Sequence, residues 1–264
     1  MYDFNYHRPE SIDQAKALFA DLEESIYLAG GHTLIPSMKQ RLSAPSDVID
    51  LSAIPALTEI SADDGVLRIG AMATHDSVAT STLVSAHCSA IADLAGGIGD
   101  AQVRNRGTIG GSIANNDPAA DYPAAIVGLN ATVHTDQRDI NAADFFTGMF
   151  ETALQDGEII IAISFPSSSA AAYAKFPNPA SRYATVGVLV ARTDDGVRVA
   201  ITGASPCVFR ASEMEAALDQ KFSANSLDGI TLDQDSLMSD MHASAAYREQ
   251  LCKVMAQRAV ESLT

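Results

Sequence analysis

Basic residues are scarce in this chain: 17 Lys and Arg stand against 33 Asp and Glu, for a formal net charge of −16. Nucleic acid and anionic membrane surfaces need a cationic face, so this balance argues against both as partners. Cysteine is equally sparse. Cys88, Cys207 and Cys252 are odd in number, far apart and never in C-x-x-C spacing, so the chain supports neither an iron–sulfur cluster nor a structural zinc site of its own. No apolar run approaches membrane-spanning length, and no transmembrane segment is expected. Met1-Tyr2-Asp3-Phe4 shows neither the basic nor the apolar region of a secretory signal, so a soluble, cytoplasmic protein is expected. Two common nucleotide fingerprints are also missing. Gly97-Ile98-Gly99 runs into Asp100-Ala101-Gln102, without the third glycine of a Rossmann turn, and no Walker A lysine pattern occurs.

What is present is a chain of 264 residues, 47% hydrophobic and 19% charged, long enough to bury a substantial core. Two glycine-rich segments stand out, Ala29-Gly30-Gly31-His32-Thr33 and Thr108-Ile109-Gly110-Gly111-Ser112. Small residues allow close main-chain approach and conformations that a Cβ forbids. Consecutive inward N–H groups form a nest for phosphate oxygens. Either segment alone reads equally as a tight turn. Together, with hydroxyls beside them, they suggest a diphosphate held from both sides, and FAD is the candidate. An anionic cofactor in so acidic a chain must be held locally, by amides and by nearby cations such as Lys39, Arg104 and Arg106.

The order of elements reads as α+β. Pro9 and Ser11 start a helix carrying Ile12, Ala15, Phe19 and Leu22. Ile26 to Ala29 forms a short strand into the first glycine turn, a helical turn follows over Leu34 to Leu42, and Asp47 to Leu51 forms another strand. Val66 to Ala71 alternates as a strand. Thr74 and Asp76 cap a helix through Val84, and a second runs from Cys88 to Gly96-Gly97. Asn115-Asn116-Asp117-Pro118 marks a turn. Ala124 to Val127, Ala131 to His134 and Glu158 to Phe165 read as strands, the last closed by Pro166. Ser167 to Ala172 reads as a linker. Asp194-Asp195-Gly196 signals a hairpin between Thr185–Ala191 and Val197–Ile201. A final helix spans Ser244 to Leu263, with Tyr247, Leu251, Val254 and Met255 on one face.

The run from Ala29 to Lys39 resembles the first FAD-binding signature of carbon monoxide dehydrogenase medium subunits. Gln102 to Ser112, continuing through Asn116-Asp117-Pro118-Ala119-Ala120-Asp121, resembles the second, shared more loosely with the FAD domain of xanthine dehydrogenase. The likeness extends from Phe4 to the last helix. It implies a two-part FAD-binding domain of the PCMH/vanillyl-alcohol-oxidase type over residues 1–166, with subdomains of about 1–53 and 54–166. A smaller α+β domain of the carbon monoxide dehydrogenase flavoprotein type would follow over 173–264. It further implies the medium subunit of a molybdenum hydroxylase. A large subunit would carry molybdopterin and oxidise the substrate, and a small subunit would relay electrons through [2Fe–2S] clusters. Non-covalent FAD on this chain would pass them to a quinone, NAD or oxygen, in a dimer of heterotrimers.

The resemblance assigns roles residue by residue. Ala29, Gly30, Gly31, His32, Thr33 and Leu34, with Thr108, Ile109, Gly110, Gly111 and Ser112, would cradle the diphosphate through main-chain amides and the Thr33 and Ser112 hydroxyls. Asn115 joins this cofactor-binding set. Asp121 would accept from the flavin's sugar-like chain, and Ile160 would touch the ring edge. Lys175 matches a lysine near the cofactor, against the alternative of a solvated surface lysine. Tyr183 matches an aromatic residue lying on the ring, against the alternative of core packing. Ile98 stands where xanthine dehydrogenases place a phenylalanine, which speaks against purine oxidation. No catalytic nucleophile, paired catalytic carboxylate or metal site is expected here. A stand-alone flavin oxidase of the same fold and a non-catalytic assembly module are the alternative readings.

Overall fold

The computed structural model describes residues 1–168 and 170–264, and its first lobe alternates short strands and helices. β1 (Asn5–His7) leads to α1 (Ile12–Asp21), whose N-terminus is capped by Ser11 accepting from Gln14 N at 3.2 Å. β2 (Ser25–Leu28), α2 (Leu34–Lys39) and β3 (Asp47–Asp50) follow, with β3 lying between β1 and β2 in a parallel sheet. The parallel register matters. It sends the chain off the end of β2 into the Ala29–Thr33 turn, which must bend before α2 can begin.

The second lobe is larger. β4 (Ile60–Asp63) and β5 (Val66–Gly70) form a hairpin, and six helices follow before the sheet resumes. They are α3 (His75–Thr80), α4 (Thr82–His87), α5 (Ser89–Gly96), α6 (Ala101–Arg106), α7 (Ile109–Asn115) and α8 (Tyr122–Gly128). β6 (Thr132–Thr135), β7 (Asp139–Asn141), α9 (Ala142–Phe145), a small hairpin of β8 (Phe146–Gly148) and β9 (Glu151–Thr152), and β10 (Ile160–Pro166) complete it. β10 enters between β5 and β6, antiparallel to both, so the last strand of the lobe closes its centre. Leu67, Ile69, Val133, Ile163 and Phe165 from the sheet pack against Ile91, Leu94, Ile109, Ile113 and Tyr122 from the helices.

Three local expectations are corrected here. The helix expected from Thr74 through Val84 breaks at Ser81, whose hydroxyl caps a fresh start by accepting from Val84 N at 3.4 Å. Ala124 to Val127 is helical, inside α8, where Pro123 occupies the first turn and every residue is buried. A short run that is apolar on all sides carries no period, so it reads as strand or helix alike. The second glycine segment is not a loop but the first turn of α7.

The third unit is an antiparallel sheet of β11 (Ala170–Pro177), β12 (Ala184–Thr193), β13 (Gly196–Thr202) and β14 (Phe209–Arg210), backed by α10 (Ser212–Gln220) and α11 (Ala245–Glu261). The expected linker is thus partly strand, since Ala170–Ala172 already pairs in β11; Ser169 within it lies outside the described residues. The expected hairpin is closed by the Thr193–Gly196 pair. β12 is apolar on both faces for a reason. Leu189 and Ala191 join the core of the second lobe, while Val186, Val188 and Val190 meet Met214, Leu218, Leu251 and Met255 of α10 and α11. Of the face expected on the last helix, Leu251 and Met255 are buried and Tyr247 is exposed.

The junction between the units falls on the segment after α7. Thr202 Oγ1 donates to Pro118 O at 3.1 Å and Ala120 O at 2.7 Å, Gly203 N donates to Pro118 O, and Ala184 N donates to Ala119 O. The Pro118–Ala120 carbonyls are therefore fixed by the C-terminal sheet. Among the described residues, no helix is long and apolar enough to cross a membrane.

Candidate cofactor site

A cavity of about 640 Å³ opens where the three units meet, a size within the usual range for small-molecule sites. Its walls come from the β2–α2 turn, the α5–α6 turn, α7 with the segment after it, the end leading into β10, and the loop before β12. The two glycine segments, distant in sequence, pack against each other and both line it. Among the residues singled out from sequence, Ala29 to Leu34, Ile98, Thr108, Gly110, Gly111, Ser112, Asn115, Asp121, Ile160 and Tyr183 line this space. Ile109 and Lys175 do not. Ile109 is wholly buried in the core of the second lobe.

The first glycine turn is built to present amides. Gly31 sits at φ +79°, in the left-handed region where a side chain is disfavoured. Thr33 begins α2 without a side-chain cap, so the first turn of that helix lacks the usual internal partner. Among the described residues, the N–H groups of Gly31, His32, Thr33 and Leu34 donate to no protein acceptor. Four successive amides without protein acceptors at the start of a helix are a donor set of the kind that suits an anion. The Thr33 and Ser112 hydroxyls and the Asn115 side chain likewise have no protein partner among the described residues. These donors suit the oxygens of a diphosphate.

The second segment differs from the expected amide cradle. Ile109 N donates to Ala73 O, Gly110 N to Ala71 O, Gly111 N to Thr108 Oγ1 and Ser112 N to Thr108 O. These four amides are satisfied inside the protein because α7 is capped by Thr108 and hydrogen-bonded to the segment after β5. Its glycines serve packing. A Cβ on Gly110 would fall within 2.9 Å of three Ala71 atoms, and one on Gly111 would fall 2.9 Å from the capping Thr108 Oγ1. The segment therefore offers the cavity side chains, Ser112 and Asn115, rather than a row of amides.

Asp121 lines the cavity, is buried, and already has partners. Tyr173 Oη donates to its Oδ1 at 2.5 Å, and Lys175 Nζ lies 3.0 Å from Oδ1 and 3.1 Å from Oδ2. Burial pushes the Asp121 carboxyl upward, while the Lys175 ammonium and the Tyr173 hydroxyl pull against that shift. The Lys175 side chain is only 11% exposed, so it is not a solvated surface lysine; it stands behind the cavity lining, and its charge is matched by Asp121, which lines it. Tyr183 is 48% exposed at the cavity rim, so it is not a core residue.

Several residues that line or support the site carried no legible signal. Tyr173 comes from β11 and acts through Asp121. His75 lines the cavity from the start of α3, with its ring 5.4 Å from that of Tyr122. Burial, with help from the charges of His32 and Arg104, lowers its pKa to about 4, and Nδ1 has no partner. His75 is therefore a neutral group in the wall. Asp117 and Arg182 also line the cavity. Asp117 stands inside the second signature, but Tyr173, His75 and Arg182 belong to no recognisable local pattern, so spatial convergence reveals them.

Residues 2–168 match the model of the FAD binding domain in molybdopterin dehydrogenase, and residues 171–263 match the CO dehydrogenase flavoprotein C-terminal domain. The chain is 34% identical to the nicotine 6-hydroxylase medium subunit of Paenarthrobacter nicotinovorans, across 97% of this chain and 95% of that one. It is also 34% identical to the carbon monoxide dehydrogenase medium chain of Afipia carboxidovorans, across 98% and 96%. It superimposes on the carbon monoxide dehydrogenase of Hydrogenophaga pseudoflava, solved without the Mo-pyranopterin moiety of its molybdenum cofactor, with a TM-score of 0.89 and 34% identity, covering 98% and 96%.

Proposed function

The chain belongs to the family of FAD-binding medium subunits of molybdenum hydroxylases, and on that premise we propose that it is the electron outlet of a three-subunit oxidoreductase. Electrons would reach it from [2Fe–2S] clusters of a small subunit, after a large molybdopterin subunit has oxidised the substrate. They would leave to an external quinone, NAD or oxygen. The carbon monoxide dehydrogenase type is the favoured holoenzyme, assembled as a dimer of heterotrimers. Residues 1–166 would serve the cofactor and residues 173–264 would brace its site.

The observation that carries this reading is the run of four amides, Gly31 to Leu34, that have no protein acceptor among the described residues and line one cavity with Ser112 and Asn115. These groups would hold the diphosphate. Asp121, kept in place by Tyr173 and Lys175, would orient the chain of hydroxyls leading to the ring. Ile98, Ile160 and Tyr183 would border the ring and limit water there. FAD supplies acceptance of single electrons and release of pairs, and the protein's contribution is to bind, orient and tune it.

Equal identity to a nicotine hydroxylase subunit and a carbon monoxide dehydrogenase subunit fits a chain that does not itself choose the substrate. Purification of the native complex tests this. Two further chains and bound FAD should travel with this one, and the isolated chain loaded with FAD should turn over no substrate. Full turnover by the isolated flavoprotein would instead identify a stand-alone oxidase.

A further inference from the structure

The turn Gly97-Ile98-Gly99 ends α5 and supplies Ile98 and Gly99 to the cavity wall. All three of its carbonyl oxygens accept hydrogen bonds from cationic side chains. Lys175 Nζ donates to Gly97 O at 2.8 Å. Arg104 Nη1 donates to Ile98 O at 3.1 Å and to Gly99 O at 3.4 Å, and Arg182 Nη1 donates to the same Gly99 oxygen at 3.2 Å. Arg104 belongs to α6, beside the turn. Lys175 and Arg182 come from the C-terminal unit, so two of the three cations cross the domain junction.

Arg182 lies in the loop between β11 and β12, which brings Ser181, Arg182 and Tyr183 to the cavity. The loop is internally tied: Asn178 Oδ1 accepts from Ala180 N at 2.9 Å and Ser181 N at 3.3 Å, and Arg182 N donates to Asn178 O. Its link to the FAD-binding unit at Gly99 is the Arg182 guanidinium. Arg182 itself stands at φ +63°, a conformation that costs free energy in a residue with a Cβ. A glycine would suit that backbone better. The arginine side chain must therefore act elsewhere, and its partner is the carbonyl on the cavity wall.

We propose that Arg182 is a positioning residue that ties the 178–183 loop across the cavity to Gly99 and thereby slows release of the bound flavin cofactor. The inference rests on the FAD reading given above. The test measures the rate at which FAD leaves the purified chain after dilution, followed by recovery of free-flavin fluorescence, together with the melting temperature of the cofactor-free chain. Arg182→Gly removes the guanidinium and relieves the backbone. It should release FAD roughly fivefold faster or more, the size expected for one charge-assisted hydrogen bond, while melting no lower than the unaltered chain. Arg182→Lys, which keeps one donor on a long stem, should restore much of the retention. Release by Arg182→Gly at the unaltered rate would overturn the proposal. So would a fall in melting temperature that accounts for the faster release. An unaltered chain that fails to hold FAD at all would overturn the cofactor reading itself.

Discussion

Gly30 rests its Cα against the main chain of Arg106: a Cβ there would overlap the Arg106 carbonyl and come within 2.8 Å of Gly107 Cα. Both neighbours are backbone, so neither can rotate away. This contact brings the turn with unpaired amides against the segment that leads into α7, and it makes one cavity out of two distant stretches of chain.

Gly30→Ala should therefore lower stability by roughly 1–3 kcal/mol through overpacking, and weaken FAD binding as the two segments part. Gly97→Ala is the control, since a Cβ there would meet nothing closer than 3.4 Å. Thermal melts and flavin titrations on both variants check the difference. Equal behaviour would show that the two segments do not depend on this contact.

Thr108 caps α7 by accepting from Gly111 N at 3.1 Å. Thr108→Ala should cost about 1 kcal/mol, and Thr108→Ser should recover most of it, as read from denaturant midpoints. A free amide at Gly111 could then compete for the cofactor, so affinity should change less than stability.

Asp121 and Lys175 form a buried pair. Asp121→Ala leaves an ammonium without its counter-charge and should destabilise by about 3–5 kcal/mol. Adding Lys175→Met should return part of that loss, because the stranded charge is gone. Strict additivity in the double-mutant cycle would mean that the pair is not coupled.

His75 makes stability depend on pH in a defined window. Its folded pKa of about 4 lies below the ordinary 6.5, so between those values the unfolded chain binds the extra proton. Stability is then full above pH 6.5 and falls as pH drops toward 4, by up to about 3 kcal/mol for a shift of this size. His75→Phe should flatten this part of the stability profile. Measurement of unfolding free energy from pH 7 to pH 4 on both proteins decides it.

Much of the fold was legible because its signals are local. Ser11 and Thr74 as caps, the Asp194-Asp195 hairpin, the strand into the first glycine turn and the final helix each follow from neighbours in sequence. The misreadings have physical causes. Ala124–Val127 is buried on every side, so its apolar run has no period to identify it as helix. Gly110 and Gly111 lower helix propensity and so read as loop, yet Ala71 and the Thr108 hydroxyl leave room for nothing larger. The Thr74–Val84 helix broke because Ser81 captured an amide that the pattern of apolar residues does not register.

The sequence by itself determined the family, the acidic character that demands local anion binding, and the two segments that meet at the cavity. Those properties reside in residue types and their spacing along the chain. Tertiary structure alone decided which amides are available. Among the described residues no protein acceptor takes up the amides of Gly31 to Leu34, whereas Ala71, Ala73 and Thr108 take up those of Ile109 to Ser112. It also decided that Lys175 answers Asp121 rather than the cavity, and that Arg182 reaches Gly99. A hydrogen bond or ion pair is settled by what stands across from a group in space, and sequence neighbours do not encode that.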